Sequence, residues 1–321
     1  MFDVTALGEL LIDFTFTGNS SSGNRLFEQN PGGAPANVLA CLSRCGKKTA
    51  FIGTVGADMH GQYLRAVLTE NSIDTTGLSE TDRAFTTLAF EALSDTGERT
   101  FSFARHPGAD TCLTPKAVPD EIIRNSRVFH FGSISLSAEP SRTATLHALE
   151  IAREAGCVIT YAPNYRAPLW ASREEAVRGM RAAIPYADMI KIASDESELL
   201  TGCTAPEDAA MALVMKGVRV CVVTMGQDGA LVAVPDGIAH VPTIPSPAHD
   251  TTGAGDAFWG GFLTAFLESG LSPAELSLTD CIRFARFGNA AAGLCIRKHG
   301  GISAMPKRDE IYAVLDLMKG N

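Results

Sequence analysis

Short apolar runs bounded by turn residues alternate along this chain with longer segments of helical period, and that rhythm constrains the fold more than any other feature. The run 48–55 precedes a helical pattern over 59–72. Likewise 128–131 precedes 141–155, 158–161 precedes 174–183, and 189–192 leads into a Glu-rich helix start. Repeats of this kind are βαβ units, whose parallel strands need helices on both faces. The expected fold class is α/β, a three-layer α/β/α core around a mostly parallel sheet. Ile311, Val314, Leu315 and Met318 recur at helical spacing and predict a last amphipathic helix against that core.

Two segments break the rhythm by alternating with period two. In 12–17 the apolar Ile12, Phe14 and Phe16 share one face, and Asp13, Thr15 and Thr17 share the other. In 100–105 Phe101, Phe103 and Arg105 oppose Thr100, Ser102 and Ala104. Half-polar strands do not suit a sheet covered on both sides, so they are placed in a smaller sheet projecting as a lid, with strands from about 11–30 and 84–108. A peripheral hairpin without function fits the same pattern. Residues 18–24, Gly-Asn-Ser-Ser-Ser-Gly-Asn, read as a flexible loop. A prior of roughly 150 residues per domain allows two units, but α/β chains of this size often form one, and 1–321 is read as a single domain.

Composition narrows the partners. The 27 Lys+Arg against 36 Asp+Glu leave a net charge of −9, which repels polyanions, so no nucleic-acid partner is expected and a small anion needs a local trap. No stretch reaches the ~18 apolar residues of a membrane span, and Met1-Phe2-Asp3-Val4 does not open a secretory leader. Eight scattered cysteines without a Cys-x-x-Cys pair read as reduced thiols. A cytoplasmic protein with no membrane contact is expected. Gly46-Lys47-Lys48-Thr49 lacks the upstream glycine of a P-loop, and Gly253-Ala254-Gly255 lacks the third glycine of a dinucleotide fingerprint. Neither His-Glu-x-x-His nor Gly-x-Ser-x-Gly occurs.

What remains is a loop that suits phosphate chemistry. Asp250-Thr251-Thr252-Gly253-Ala254-Gly255-Asp256 opens an apolar helical run. Small residues at a helix start present unpaired N–H groups at the positive end of the dipole, an anion site. Asp256 at its edge is kept ionised by that dipole and can accept a proton from an attacking hydroxyl. An Asp N-cap after a tight turn gives the same local pattern. Asn30-Pro31-Gly32-Gly33-Ala34-Pro35-Ala36-Asn37 is a second turn-to-helix transition, with glycines for close approach and Pro35 suited to a first helical turn.

Together these two segments resemble the N-terminal and C-terminal signatures of the PfkB-type, ribokinase-like carbohydrate kinases. The resemblance runs on through Gly8-Glu9-Leu10-Leu11-Ile12-Asp13, Gly97-Glu98-Arg99-Thr100-Phe101-Ser102-Phe103, Pro163-Asn164-Tyr165-Arg166, Thr224-Met225-Gly226-Gln227-Asp228-Gly229 and Phe287-Gly288-Asn289. Its motifs are most similar to those of bacterial fructokinases. It implies transfer of the ATP γ-phosphoryl group to a sugar hydroxyl, with Asp256 as base and the backbone of Gly253, Ala254 and Gly255 as anion hole. It implies sugar binding by Asp13, Gly32, Gly33, Asn37, Phe101, Phe103, Arg105, Asn164 and Arg166, and nucleotide binding by Thr224, Gly226, Gly229 and Asn289. Mg²⁺ is implied near Glu196, indirectly, and a monovalent cation such as K⁺ at Asp250 and Thr252. The lid face carrying Ile12, Phe14 and Phe16 is a candidate homodimer contact.

Two positions depart from the pattern. Ala162 stands where the family's middle motif carries aspartate, and Ala193 opens a motif that usually begins with Asn or Ser. Both concern metal positioning and turnover. Ser194 or Asp195 would compensate if the strand end slipped by one residue. Fructokinase is therefore the leading expectation. The alternatives are a kinase for ribose, 2-keto-3-deoxygluconate or an aminoimidazole riboside, and a binding protein of the same fold with impaired catalysis.

Overall fold

The computed structural model describes residues 1–93 and 99–319, with the side chains of 92–101, 318 and 319 outside that description. Its strands are β1 (Phe2–Leu7), β2 (Leu11–Asn19), β3 (Arg25–Gly32), β4 (Thr49–Gly56), β5 (Ile73–Thr81), β6 (Leu88–Leu93), β7 (Arg99–Ala104), β8 (Ser126–Phe131), β9 (Val158–Tyr161), β10 (Met189–Ala193), β11 (Val220–Thr224), β12 (Ala230–Val234) and β13 (Gly237–Val241). Its helices are α1 (Ala34–Arg44), α2 (Met59–Glu70), α3 (Asp120–Arg124), α4 (Ser141–Glu154), α5 (Arg173–Ala183), α6 (Ser197–Thr201), α7 (Pro206–Met215), α8 (Ala254–Ser269), α9 (Leu278–Cys295) and α10 (Arg308–Lys319).

The large sheet runs in the order β13-β12-β11-β10-β9-β8-β1-β4-β5. It is parallel except where β12 pairs with β11 and β13. Alternation along each strand feeds two separate cores. Met189, Val220 and Val222 join α1, α8 and α9 on one face. Ile190, Ile192, Cys221 and Val223 join α4, α5 and α7 on the other. The expected α/β/α layering follows from this two-sided burial. Ile311 is fully buried, with Val314 and Leu315 packed beside it, so α10 is the expected amphipathic helix; the side chain of Met318 lies outside the described residues.

The second sheet has the order β3-β2-β6-β7. Its register places Asp13, Ala89 and Phe103 in one row and Thr15 beside Glu91, so the expected polar face exists. Three expectations change. Ile12 is fully buried rather than displayed, and among the described side chains of this sheet the large exposed apolar ones are Leu26, Phe27 and Phe90. Gly18 and Asn19 complete β2. The connection after them is a tight turn, with Ser20 N donating to Asn24 O at 2.8 Å and Gly23 N to Ser20 O at 2.9 Å, not a loose loop. Arg105 falls just beyond the end of β7, where strand alternation no longer sets its direction.

Candidate active site

The start of α1 is shaped by a close approach. Gly33 has φ 119°, and a Cβ there would lie 2.3 Å from the Glu9 carbonyl oxygen. Glu9 itself, unremarked in the sequence, accepts a hydrogen bond from Ala34 N at 2.9 Å, and burial pushes its carboxyl up to about 7. This fixes the entry to α1 and points Asn37, one turn on, at α8. Gly253 precedes α8 in the left-handed region, φ 74°, which suits glycine. Asn37 Nδ2 donates to Asp256 Oδ2 at 2.9 Å. The two glycine-bearing helix starts are thereby joined through the residue expected to be the base.

These groups line a cavity of about 320 Å³ beneath the small sheet, together with Asp13, Phe103, Asn164, Arg166 and Lys191. Burial raises the pKa of Asp256, opposed by Lys191, the Asn37 hydrogen bond and Arg166. Desolvation outweighs these opposing groups, and it makes the carboxylate a better proton acceptor. Asp13 is pushed up to about 7, first by burial and then by the charge of Glu91, with Arg166 opposing. Gly32 does not line the cavity. A Cβ on it would sit 2.1 Å from Asp13 Oδ2, so its contribution is room for that carboxylate.

Arg105 is not on the cavity wall. Its guanidinium pairs with buried Asp110 (Nη2–Oδ2 2.7 Å) and donates to Ser137 Oγ at 3.0 Å and Ile134 O at 3.3 Å. Phe103 does line the cavity, while the side chain of Phe101 lies outside the described residues. Asn164 holds φ 50°, an unusual conformation for a non-glycine residue and one that Asn tolerates. Arg166 is exposed at the mouth.

Glu196 is buried and clasps two segments, accepting from Tyr165 N at 2.6 Å and Ala193 N at 2.8 Å. Ala193 pairs with Thr224 in unbroken register, and Ser194 and Asp195 are exposed, so no strand slip restores the missing polar side chains. Asp250 is buried and braces the loop before α8, accepting from Thr252 N and Gly300 N, each at 2.9 Å.

The residues expected along a nucleotide lie outside the lining of that cavity. Thr224 Oγ1 donates to Ile192 O at 3.2 Å, and Gly226 and Gly229 have φ 58° and 90°. A Cβ on Gly229 would meet Val241 O at 2.2 Å. Asn289 is buried rather than on a helix surface, donating to Val241 O at 3.1 Å and Pro242 O at 3.0 Å. It lines a second, more apolar cavity of about 720 Å³. Among the described residues no cluster of three or more His, Cys, Asp or Glu side chains is placed to hold a metal ion.

Sequence reading missed Glu9, Glu91 and Lys191 on the cavity wall. Lys191 left one signal, a lone charge inside the apolar strand Met189–Ala193.

Fold and site together define a class, the α/β kinases in which a small sheet covers a polar cavity at a helix N-terminus. Residues 1–308 match the pfkB family carbohydrate kinase. Fructokinase-1 of Zea mays is 41% identical over 317 residues, spanning 98% of this chain and 97% of that one. A crystal structure of fructokinase with bound ATP from Xylella fastidiosa is similar with a TM-score of 0.90 at 28% identity, covering 99% of this chain and 100% of that one. A fructokinase double mutant from Vibrio cholerae O395, in a form bound to fructose, ADP and potassium ion, is similar with a TM-score of 0.86 at 28% identity over 97% and 98% of the two chains. The chain belongs to the pfkB family of carbohydrate kinases.

Proposed function

We propose that the chain is an ATP-dependent fructokinase. The observation that carries the reading is Asp256, half-buried in the first turn of α8 and hydrogen-bonded to Asn37 inside the cavity that Asp13 and Phe103 also line. Asp13, Asn37 and Asn164 with the Gly33 backbone offer directed hydrogen bonds to sugar hydroxyls, and Phe103 a ring for a C–H face. Asp256 takes the proton of the attacking hydroxyl. Its oxygen bonds to the γ-phosphorus as the bond to the ADP oxygen breaks, and the N–H groups of Gly253, Ala254 and Gly255 with Arg166 stabilise the charge in flight. Thr224, Gly226, Gly229 and Asn289 mark the nucleotide side, Asn289 by holding the 241–242 backbone.

Mg²⁺ travelling with ATP neutralises phosphate charge and keeps several waters, so it fits a site without a protein cage. Glu196 would act there indirectly, by holding the backbone of Tyr165 and Ala193 in place. A K⁺ site fits the hard oxygens around Asp250 and Thr252, next to the anion hole. The same reading takes residues 1–321 as one kinase domain in the cytoplasm, which eight free thiols suit. Among the described residues no helix is long and apolar enough to cross a membrane. Ala162 and Ala193 favour a second reading, a relative with slowed turnover. Specificity constants measured across fructose, ribose, 2-keto-3-deoxygluconate and aminoimidazole riboside, with K⁺ and with Na⁺, test the assignment. Fructose should lead, and a flat or inverted order would remove it.

Asp13→Asn is expected to weaken fructose binding by roughly 10-fold or more at pH 8, the usual loss for a hydrogen bond to a charged group. The native state holds Asp13's proton up to about pH 7, against about 3.8 for an ordinary aspartate. Its contribution to stability therefore falls as pH rises across that window, and the variant should melt higher than wild type at pH 8. Unchanged sugar affinity by titration would make Asp13 structural.

The exposed outer face of the small sheet is the proposed homodimer contact, supported by Phe27 and Phe90 (36% exposed each), with Phe14 stacked on Phe90 at 5.2 Å. The contact thus moves outward from Ile12. Sedimentation should give a dimer that Phe27→Asp dissociates; a monomeric wild type would overturn it.

A further inference from the structure

Lys191 has no role in the account so far, yet its placement is unusual. On β10, Met189 packs toward α8 while Ile190 and Ile192 pack the other way, so strand alternation turns Lys191 toward α8. Its side chain is 7% exposed, and it makes neither a hydrogen bond nor an ion pair among the described residues. The ammonium nitrogen reaches to 2.7 Å from where a Cβ on Gly255 would be, and it lines the sugar-side cavity. Glycine at 255 therefore makes room for the cation.

Its ammonium opens on the cavity without a protein hydrogen-bond partner, so its donors are satisfied only by what occupies that cavity. Here it also sits against the positive end of α8, where a cation is disfavoured. Arg166 lines the same cavity, so three sources of positive potential border it. Asp256 offsets part of that field, but it is engaged by Asn37 and forms no ion pair with Lys191. The arrangement is completed by an anion with several oxygens. We propose that Lys191 binds the phosphoryl group in transfer, donating to its equatorial oxygens. This role rests on the kinase reading. It also answers the two alanines: where Ala162 and Ala193 offer no polar side chain, a fixed ammonium supplies charge close to the reacting phosphorus.

The competing role is that of counter-ion to Asp256, and a pH profile separates the two. Asp256 faces Lys191 from β10 and Arg166 from the loop after β9. Asp13 of β2, Glu91 of β6 and Asp250 of the preceding loop add negative charge, while burial holds His130 of β8 neutral, down to about 3. In Lys191→Met, loss of the cation moves the acid limb of kcat upward under either role. If Lys191 binds phosphoryl, the alkaline plateau also stays down by about 10²–10³, the loss typical of one transition-state donor. Fructose affinity should change little, and Lys191→Arg should recover part of the rate. A direct reading is ADP binding with magnesium and fluoroaluminate, a mimic of the planar phosphoryl group. The mimic should bind Lys191→Met at least 10-fold more weakly than wild type, with ADP alone unchanged. Lys191→Gln, nearer in polarity, carries the same comparison if the Met variant does not fold. A plateau within about 3-fold of wild type, or mimic affinity unchanged, would overturn the assignment. Wild type that transfers no phosphoryl group to any sugar would instead sink the kinase reading, and the binding comparison would still report on Lys191.

Discussion

Asp256→Asn is expected to lower kcat by roughly 10² to 10⁴, the range for losing a positioned general base, while the KM for ATP changes little. The substitution is close to isosteric. An Asn amide can turn its oxygen toward Asn37 Nδ2 and preserve the 2.9 Å contact that ties α1 to α8. It also removes a carboxyl whose charged form burial disfavours, so thermal stability should hold or rise at neutral pH. Rate and stability therefore move separately. A variant retaining half its activity would take Asp256 out of the mechanism, and one that lost activity only by unfolding would leave the carboxylate a structural cap.

Arg105→Met should instead act on the fold. Arg105 and Asp110 are both nearly inaccessible, and Thr87 Oγ1 also donates to Asp110 at 2.5 Å. Removing the guanidinium strands a buried carboxylate, which costs about 3–5 kcal/mol. Adding Asp110→Asn should recover part of that loss, because the stranded charge is then gone. Denaturant titration of the single and double variants, alongside the fructose KM of whatever remains folded, tests this. Full stability with a tenfold higher fructose KM would return Arg105 to the sugar.

The contrast between these two residues shows what the sequence makes legible. Asp256 could be read because its neighbours, Gly253 to Gly255, encode a helix start, and a helix start has a physical consequence that needs no partner. Strand alternation likewise set Asp13 apart from Ile12 and Phe14, and Phe103 apart from Ser102, since period two is a local property; only the register brings Asp13 and Phe103 into one row. The same rule misplaced Arg105, because the alternating pattern in the letters continues past Ala104 while the strand does not. Its direction is set by Asp110, and nothing local says that the two meet. Ile12 was misjudged for a related reason: period two gives the face but not what packs over it, and the base of the small sheet is covered where its far end is bare. Lys191 was silent. A lysine in an apolar strand looks like a surface residue until the fold shows that Gly255 stands over it. Glu196 reads as a metal group from its motif, yet the structure spends its oxygens on Tyr165 and Ala193, so the motif holds backbone first.

The most direct test of the central claim is to follow the phosphorus. With purified protein, ATP, Mg²⁺, K⁺ and fructose, ³¹P NMR should show the γ-phosphate signal replaced by ADP and one equivalent of a fructose monophosphate. Inorganic phosphate should stay at its background level, because the covered cavity excludes water from the reacting group. ATP left intact, or converted to ADP with free phosphate and no sugar ester, would contradict the account.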